Sequence, residues 1–72
     1  MERIIKVSVF EFSITWASSY YINKYKEFNV DCEVISRNLG VLLDSYVLRL
    51  TGKPEKIQLF IDYLKAEKFK IH

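Results

Sequence analysis

The stretch Val30-Asp31-Cys32-Glu33-Val34-Ile35-Ser36 decides the fold. Its residues alternate: Val30, Cys32 and Val34 point one way, Asp31, Glu33 and Ile35 the other. A period of two predicts a strand with one face toward a core. Arg37-Asn38-Leu39-Gly40 follows and reads as a turn, with Asn38 and Gly40 able to take positive φ. Residues 42–50 form the next strand, with Tyr46, Leu48 and Leu50 inward and Ser45, Val47 and Arg49 outward. The short link predicts an antiparallel hairpin.

Working outward, residues 4–12 read as a strand, with Ile5, Val7 and Val9 toward the core and Ile4, Lys6, Ser8 and Phe10 on the other side. Residues 13–28 read as a helix: Ala17, Tyr21, Ile22, Tyr25 and Phe28 recur at spacings that form one apolar stripe. Ser13 or Thr15 offers a cap at its start, and Asn29 stops it, because Asn tolerates the left-handed conformation. After the hairpin, Thr51-Gly52-Lys53-Pro54-Glu55 predicts a second helix entry. Proline's missing N–H costs nothing in the first turn, and Glu55 suits the positive end of the helix dipole. Ile57, Phe60, Ile61 and Leu64 are its apolar stripe. Residues 68–71 predict a short last strand with Phe69 and Ile71 inward.

The order is therefore β-α-β-β-α-β. An α+β, two-layer sandwich satisfies it: a four-stranded antiparallel sheet with two helices on one face, the ferredoxin-like arrangement. One domain fills residues 1–72. The other sheet face stays uncovered in a monomer. It carries Phe10, Ile35 and Val47 among polar residues, which hints at a partner or ligand.

Composition narrows the function classes. The 72 residues hold 11 Lys and Arg against 9 Asp and Glu, a net charge of +2, with the two signs interleaved. That balance does not favour nucleic acid, whose binders cluster their basic residues. No apolar run approaches the roughly 20 residues of a membrane-spanning helix, and no membrane insertion is expected. One cysteine makes no internal disulfide and, with one histidine, fills no tetrahedral zinc site, so no metal or cofactor is expected and a reducing cytoplasm is the simplest location. Glycine-rich phosphate loops are absent. Glu33 and Asp44 are the one pair of carboxylates considered for acid–base work, and without a nucleophile or enclosed pocket the chain does not read as an enzyme. Cys32 reads as a core residue, Tyr20, Tyr21 and Tyr25 as packing, Trp16 as cover for the core edge, and the terminal His72 as a residue without a role.

The run Lys26-Glu27-Phe28-Asn29-Val30-Asp31-Cys32-Glu33-Val34-Ile35-Ser36 resembles the centre of the NIL domain. So do Val47-Leu48-Arg49-Leu50-Thr51-Gly52 and the later Ile61-Asp62-Tyr63-Leu64-Lys65. The resemblance spans about residues 4–72 and implies a ferredoxin-like, ACT-like fold. NIL domains occur at the C-terminus of the ATPase subunit of bacterial methionine importers, where a pair binds methionine near the mutual interface and inhibits transport. They also occur beside iron–sulfur ferredoxin modules and as small separate proteins. This chain carries neither Walker motifs nor a cysteine cluster, so the resemblance implies a stand-alone regulatory module. It would act as a homodimer with a methionine-like amino-acid ligand, and a transporter or ferredoxin is the implied partner.

Together with the open face, this places the ligand at Glu33, Ile35, Ser45 and Val47. The sequence departs from the family where Asn-Ile-Leu gives way to Glu33-Val34-Ile35. Asn both donates and accepts, whereas ionised Glu only accepts, so Glu33 suits an α-amino group and repels a carboxylate. The hairpin is also shorter than in the importer domains, and Asp44 adds a second carboxylate expected near Glu33. Two alternatives use the same face: a protein–protein adaptor without a small ligand, and an RNA-binding sheet with Phe10 as the stacking residue. The third strand lacks the glycines and paired aromatics of RNA-recognition modules.

Overall fold

The computed structural model describes residues 1–10 and 18–72. The elements are β1 (Glu2–Phe10), α1 (Ser18–Ile22) continued by a 3₁₀ segment (Asn23–Phe28), β2 (Asp31–Leu39), β3 (Leu43–Thr51), α2 (Pro54–Ala66) and β4 (Lys70–Ile71). The strands form one antiparallel sheet in the order β2-β3-β1-β4. The fold is thus α+β, a four-stranded antiparallel sheet with two helices. The expected cap, Ser13 or Thr15, together with Trp16 and Ala17, lies outside the described residues. Among the described residues no helix is long and apolar enough to cross a membrane.

The β1–β3 ladder runs from Glu2↔Thr51 to Phe10↔Leu43 without interruption. Opposed residues in an antiparallel pair share a face. One face therefore carries Ile5, Val7, Val9, Tyr46, Leu48 and Leu50, all buried. Ile22 from α1 and Ile57, Phe60, Ile61 and Leu64 from α2 complete the same core. Both helices pack on that side, and the opposite face has neither.

The first helix departs from the expected single α-helix. It tightens to 3₁₀ from Asn23 onward. The reason is visible in the spacing Ile22, Tyr25, Phe28. Three residues per turn eclipse positions i and i+3, so this geometry aligns all three side chains. Phe28 then meets Phe60 and Tyr63 of α2, with ring centroids 5.5 and 5.3 Å away. Asn29 ends the segment in the left-handed conformation, at φ 56°.

The hairpin turn also lies later than expected. β2 continues through Leu39, and Gly40 N–H donates to the Leu43 carbonyl at 3.0 Å across the turn. Neither Asn38 nor Gly40 takes a positive φ. Glycine is required at 40 for space: a Cβ there would stand 2.5 Å from the Leu43 carbonyl oxygen. The second helix starts at Pro54 as its entry signal predicts, and Ile57 N–H donates to the Lys53 carbonyl at 3.0 Å. At its far end Lys68 takes φ 74°, and Phe69 N–H donates to the Leu64 carbonyl at 3.0 Å. That reversal turns the Phe69 side chain into the core and starts β4.

β2 is more exposed than a half-buried strand. Val30, just before it, is buried, Cys32 is half-buried, and Val34 is 46% exposed. Val34 nevertheless faces the same side as its fully buried ladder partner Leu48. Helix cover reaches the central strands and fades along this edge. The pair supplies a clean contrast. Leu48→Ala should cost about 2–5 kcal/mol through lost burial and a cavity. Val34→Ala should cost less than about 1 kcal/mol. Urea unfolding followed by circular dichroism measures both.

Candidate functional site: the uncovered sheet face

The ladder register places cross-strand rows on the uncovered face. Phe10 and Leu43 lie opposite each other in one row. The next row runs Asn38, Ser45, Ser8, Lys70 across all four strands. Beyond it come Ser36, Val47 and Lys6, then Glu33, Arg49 and Ile4. Rows on one face are about 7 Å apart, two residues along a strand.

At the β1–β4 corner the chain closes over this face. His72 N–H donates to the Lys6 carbonyl at 2.8 Å, extending the β1–β4 ladder by one residue. The His72 ring then lies against Ser8, with Nε2 2.7 Å from Oγ. Ser8 is only 3% exposed although, among the described residues, no helix covers its side of the sheet. A pocket of about 410 Å³ opens beside this pair, walled by Lys6, Ser8, Phe10, Leu43, Ser45, Lys68, Lys70 and His72 among others. A smaller hollow of about 210 Å³ adjoins it, and Lys6 and Ser45 line both.

The four residues singled out in the sequence have different positions. Ser45 lies between the two hollows and Val47 lines the smaller one. Glu33 lies farther along the face, where Arg49 Nη1 donates to its Oε1 at 2.6 Å. Glu2 stands on the far side of the same guanidinium, 3.8 Å from Nε. The Glu33 charge is therefore locally answered by Arg49. Ile35 sits where the β2–β3 register shifts: Val34 pairs with Leu48, but Ser36 pairs with Val47. It has no ladder partner of its own and is 45% exposed. A shift of one residue exchanges the two faces of a strand. Ser36 and Asn38 thereby join the uncovered face, and Arg37 turns to Tyr46 on the other.

Asp44 does not join Glu33. It opposes Val9 and belongs to the helix-bearing face, largely buried, with no hydrogen-bond partner for Oδ1 among the described residues. The sheet itself separates the two carboxylates, so they form no acid–base pair. Lys6, Ser8, Lys70 and His72 are the group that alternation in the hairpin alone did not single out. Their signal is in the last strand. With Phe69 and Ile71 inward, Lys70 and His72 fall on the other face beside Ser8 and Lys6.

Chemically, the corner offers hydroxyl and ammonium donors above an apolar wall. Among the described residues lining the larger pocket no side chain is a carboxylate. Ser8 and His72 make a two-member hydrogen bond, and the arrangement is suited to holding a polar group. Cys32 lies on the helix side of β2, and burial pushes its thiol up to about 11. Among the described residues no cluster of three or more His, Cys, Asp or Glu could hold a metal ion. No family model matches this chain, and no curated protein matches it.

The Cys32 environment gives a measurable outcome. The folded protein keeps its thiol proton at pH values where the unfolded chain, near 9.0, has lost it. Stability should therefore fall as pH rises between about 9 and 11. Iodoacetamide at pH 8.5 should label native Cys32 far more slowly than the urea-unfolded chain, read by intact mass.

Proposed function

We propose that this chain is a small regulatory module of the ferredoxin-like, NIL-like type. It binds an amino-acid-sized ligand on the uncovered sheet face and works as a homodimer in the cytoplasm. The strand order supports the fold reading. β1 and β2 run parallel on either side of β3, and β3 and β4 run parallel on either side of β1. Two interleaved β-α-β units have that connectivity. The ligand reading is carried by one observation: the 410 Å³ pocket beside the Ser8–Ser45 pair, on the face that no helix among the described residues covers. Ligand sites are characteristically concave, mostly apolar and furnished with a few convergent polar groups.

The homodimer reading draws on β2. It is an edge strand of nine residues without proline or glycine, and among the described residues no strand neighbours its outer backbone groups. Such an edge is a template for a second strand. Pairing there would extend the sheet and place two uncovered faces side by side.

The adaptor reading, with a transporter or ferredoxin partner, has its own observation. Val41 and Leu42 at the hairpin tip are 88% and 54% exposed, and the next residue, Leu43, is the ladder partner of Phe10, itself 54% exposed. Such apolar surface is characteristic of a protein contact.

Sedimentation at high micromolar concentration should show a dimer, and monomer alone would contradict that part. A thermal-shift series over the amino acids tests the ligand. At 100 times its dissociation constant a ligand adds about 2.7 kcal/mol, which in a domain of this size raises Tm by roughly 10 °C or more. No response from any amino acid would remove the ligand and leave the adaptor.

A further inference from the structure

We infer that the β1–β4 corner of the uncovered face binds the carboxylate of a small organic acid whose apolar tail lies along Phe10 and Leu43. The inference rests on the ligand-binding reading and moves its polar anchor from Glu33 to Ser8 and the neighbouring lysines.

Charge is the first reason. Lys6, Lys68 and Lys70 surround one pocket, and no carboxylate side chain stands among its described lining residues. An anion among three ammonium groups is favoured by their common sign. Among the described residues, the acidic ones of the face belong to its other end. Glu33 is paired with Arg49, which stands four residues along β3 from Ser45. Four residues of strand span about 13 Å, beyond the roughly 8 Å screening length of physiological salt.

The second reason is the state of Ser8. Its hydroxyl is almost wholly buried and touches His72 Nε2 at 2.7 Å. A hydroxyl donates once and accepts twice. When Nε2–H donates to Oγ, the Ser8 proton is free for an acceptor in the pocket. A carboxylate there favours this tautomer, so one ligand oxygen completes the chain His72, Ser8, ligand.

The third reason is shape. One row beyond Ser8 and Ser45, Phe10 and Leu43 face each other at 54% and 40% exposure. The step is about 7 Å, the length of a short branched alkyl chain attached to the carboxyl carbon. A bare phosphate would leave this apolar wall wet.

Titrating the protein with 4-methylpentanoate, 4-methylpentanamide and inorganic phosphate tests the inference, followed by two-dimensional ¹H–¹⁵N NMR at pH 7. The acid should give saturable shifts at Ser8, Ser45 and His72. The isosteric amide should bind about tenfold more weakly or worse, because it loses the charge-assisted bonds. The double variant Lys6→Gln/Lys70→Gln, its fold checked in the same spectra, should lose about tenfold in affinity for the acid, while Glu33→Gln keeps it.

Equal binding of acid and amide at this face overturns the anchor and leaves the ligand reading standing. Binding of phosphate without the acid overturns the organic tail. Loss of affinity in Glu33→Gln but not in the lysine variant returns the anchor to Glu33. No binding by any of the three probes overturns the inference, and silence in the amino-acid series as well would remove the ligand reading with it.

Discussion

The uninterrupted pairing of β1 with β3 is the constraint on which the rest of this structure depends. It joins nine residues of each strand, from Glu2↔Thr51 to Phe10↔Leu43. Because side chains alternate with a period of two, the pairing sorts every residue of both strands at once. Odd positions of β1 and even positions of β3 go under the helices. Even positions of β1 and odd positions of β3 stay on the uncovered face. A slip of one residue would put Lys6 and Ser8 into the core and Val7 and Val9 into water. The apolar side chains under α1 and α2 forbid it.

The polar corner is a consequence of that sorting. Once Val7 is fixed inward, its partner Ile71 is fixed inward too, and Lys70 and His72 must face out beside Ser8. The last residues of the chain thereby roof a serine that would otherwise be wet. The left-handed Lys68 matters for the same reason, since it turns the chain from α2 into β4 with Phe69 pointing into the core. Packing on one face thus positions the donors on the other. The β2 edge has no such anchor past Cys32, and its side chains are accordingly exposed on both faces.

Much of this was legible in the sequence. The core stripes Ile5-Val7-Val9, Tyr46-Leu48-Leu50 and Ile57-Phe60-Ile61-Leu64 follow from period two and period 3.6, and all ten residues are buried. Asn29 and Pro54 mark element boundaries because each has a backbone preference that few other positions tolerate. Three features escaped local reading, each for a physical reason. The register shift at Ile35 adds a residue without altering composition, so alternation read past Val34 assigns the wrong faces. The place of the turn is set by the space Gly40 leaves for the Leu43 carbonyl, a contact between residues whose separation was unknown. The His72–Ser8 bond joins the two ends of the described chain through a ladder of two paired residues, and no window of sequence contains both.

The most direct measurement is the set of interstrand nuclear Overhauser effects in uniformly labelled protein. The account predicts contacts from the backbone protons of Ser8 to those of Ser45 on one side and Lys70 on the other, with the His72 ring close to the Ser8 β-protons. Contacts of Ser8 with Tyr46 as its ladder partner, or a His72 ring without any contact to β1, would contradict it.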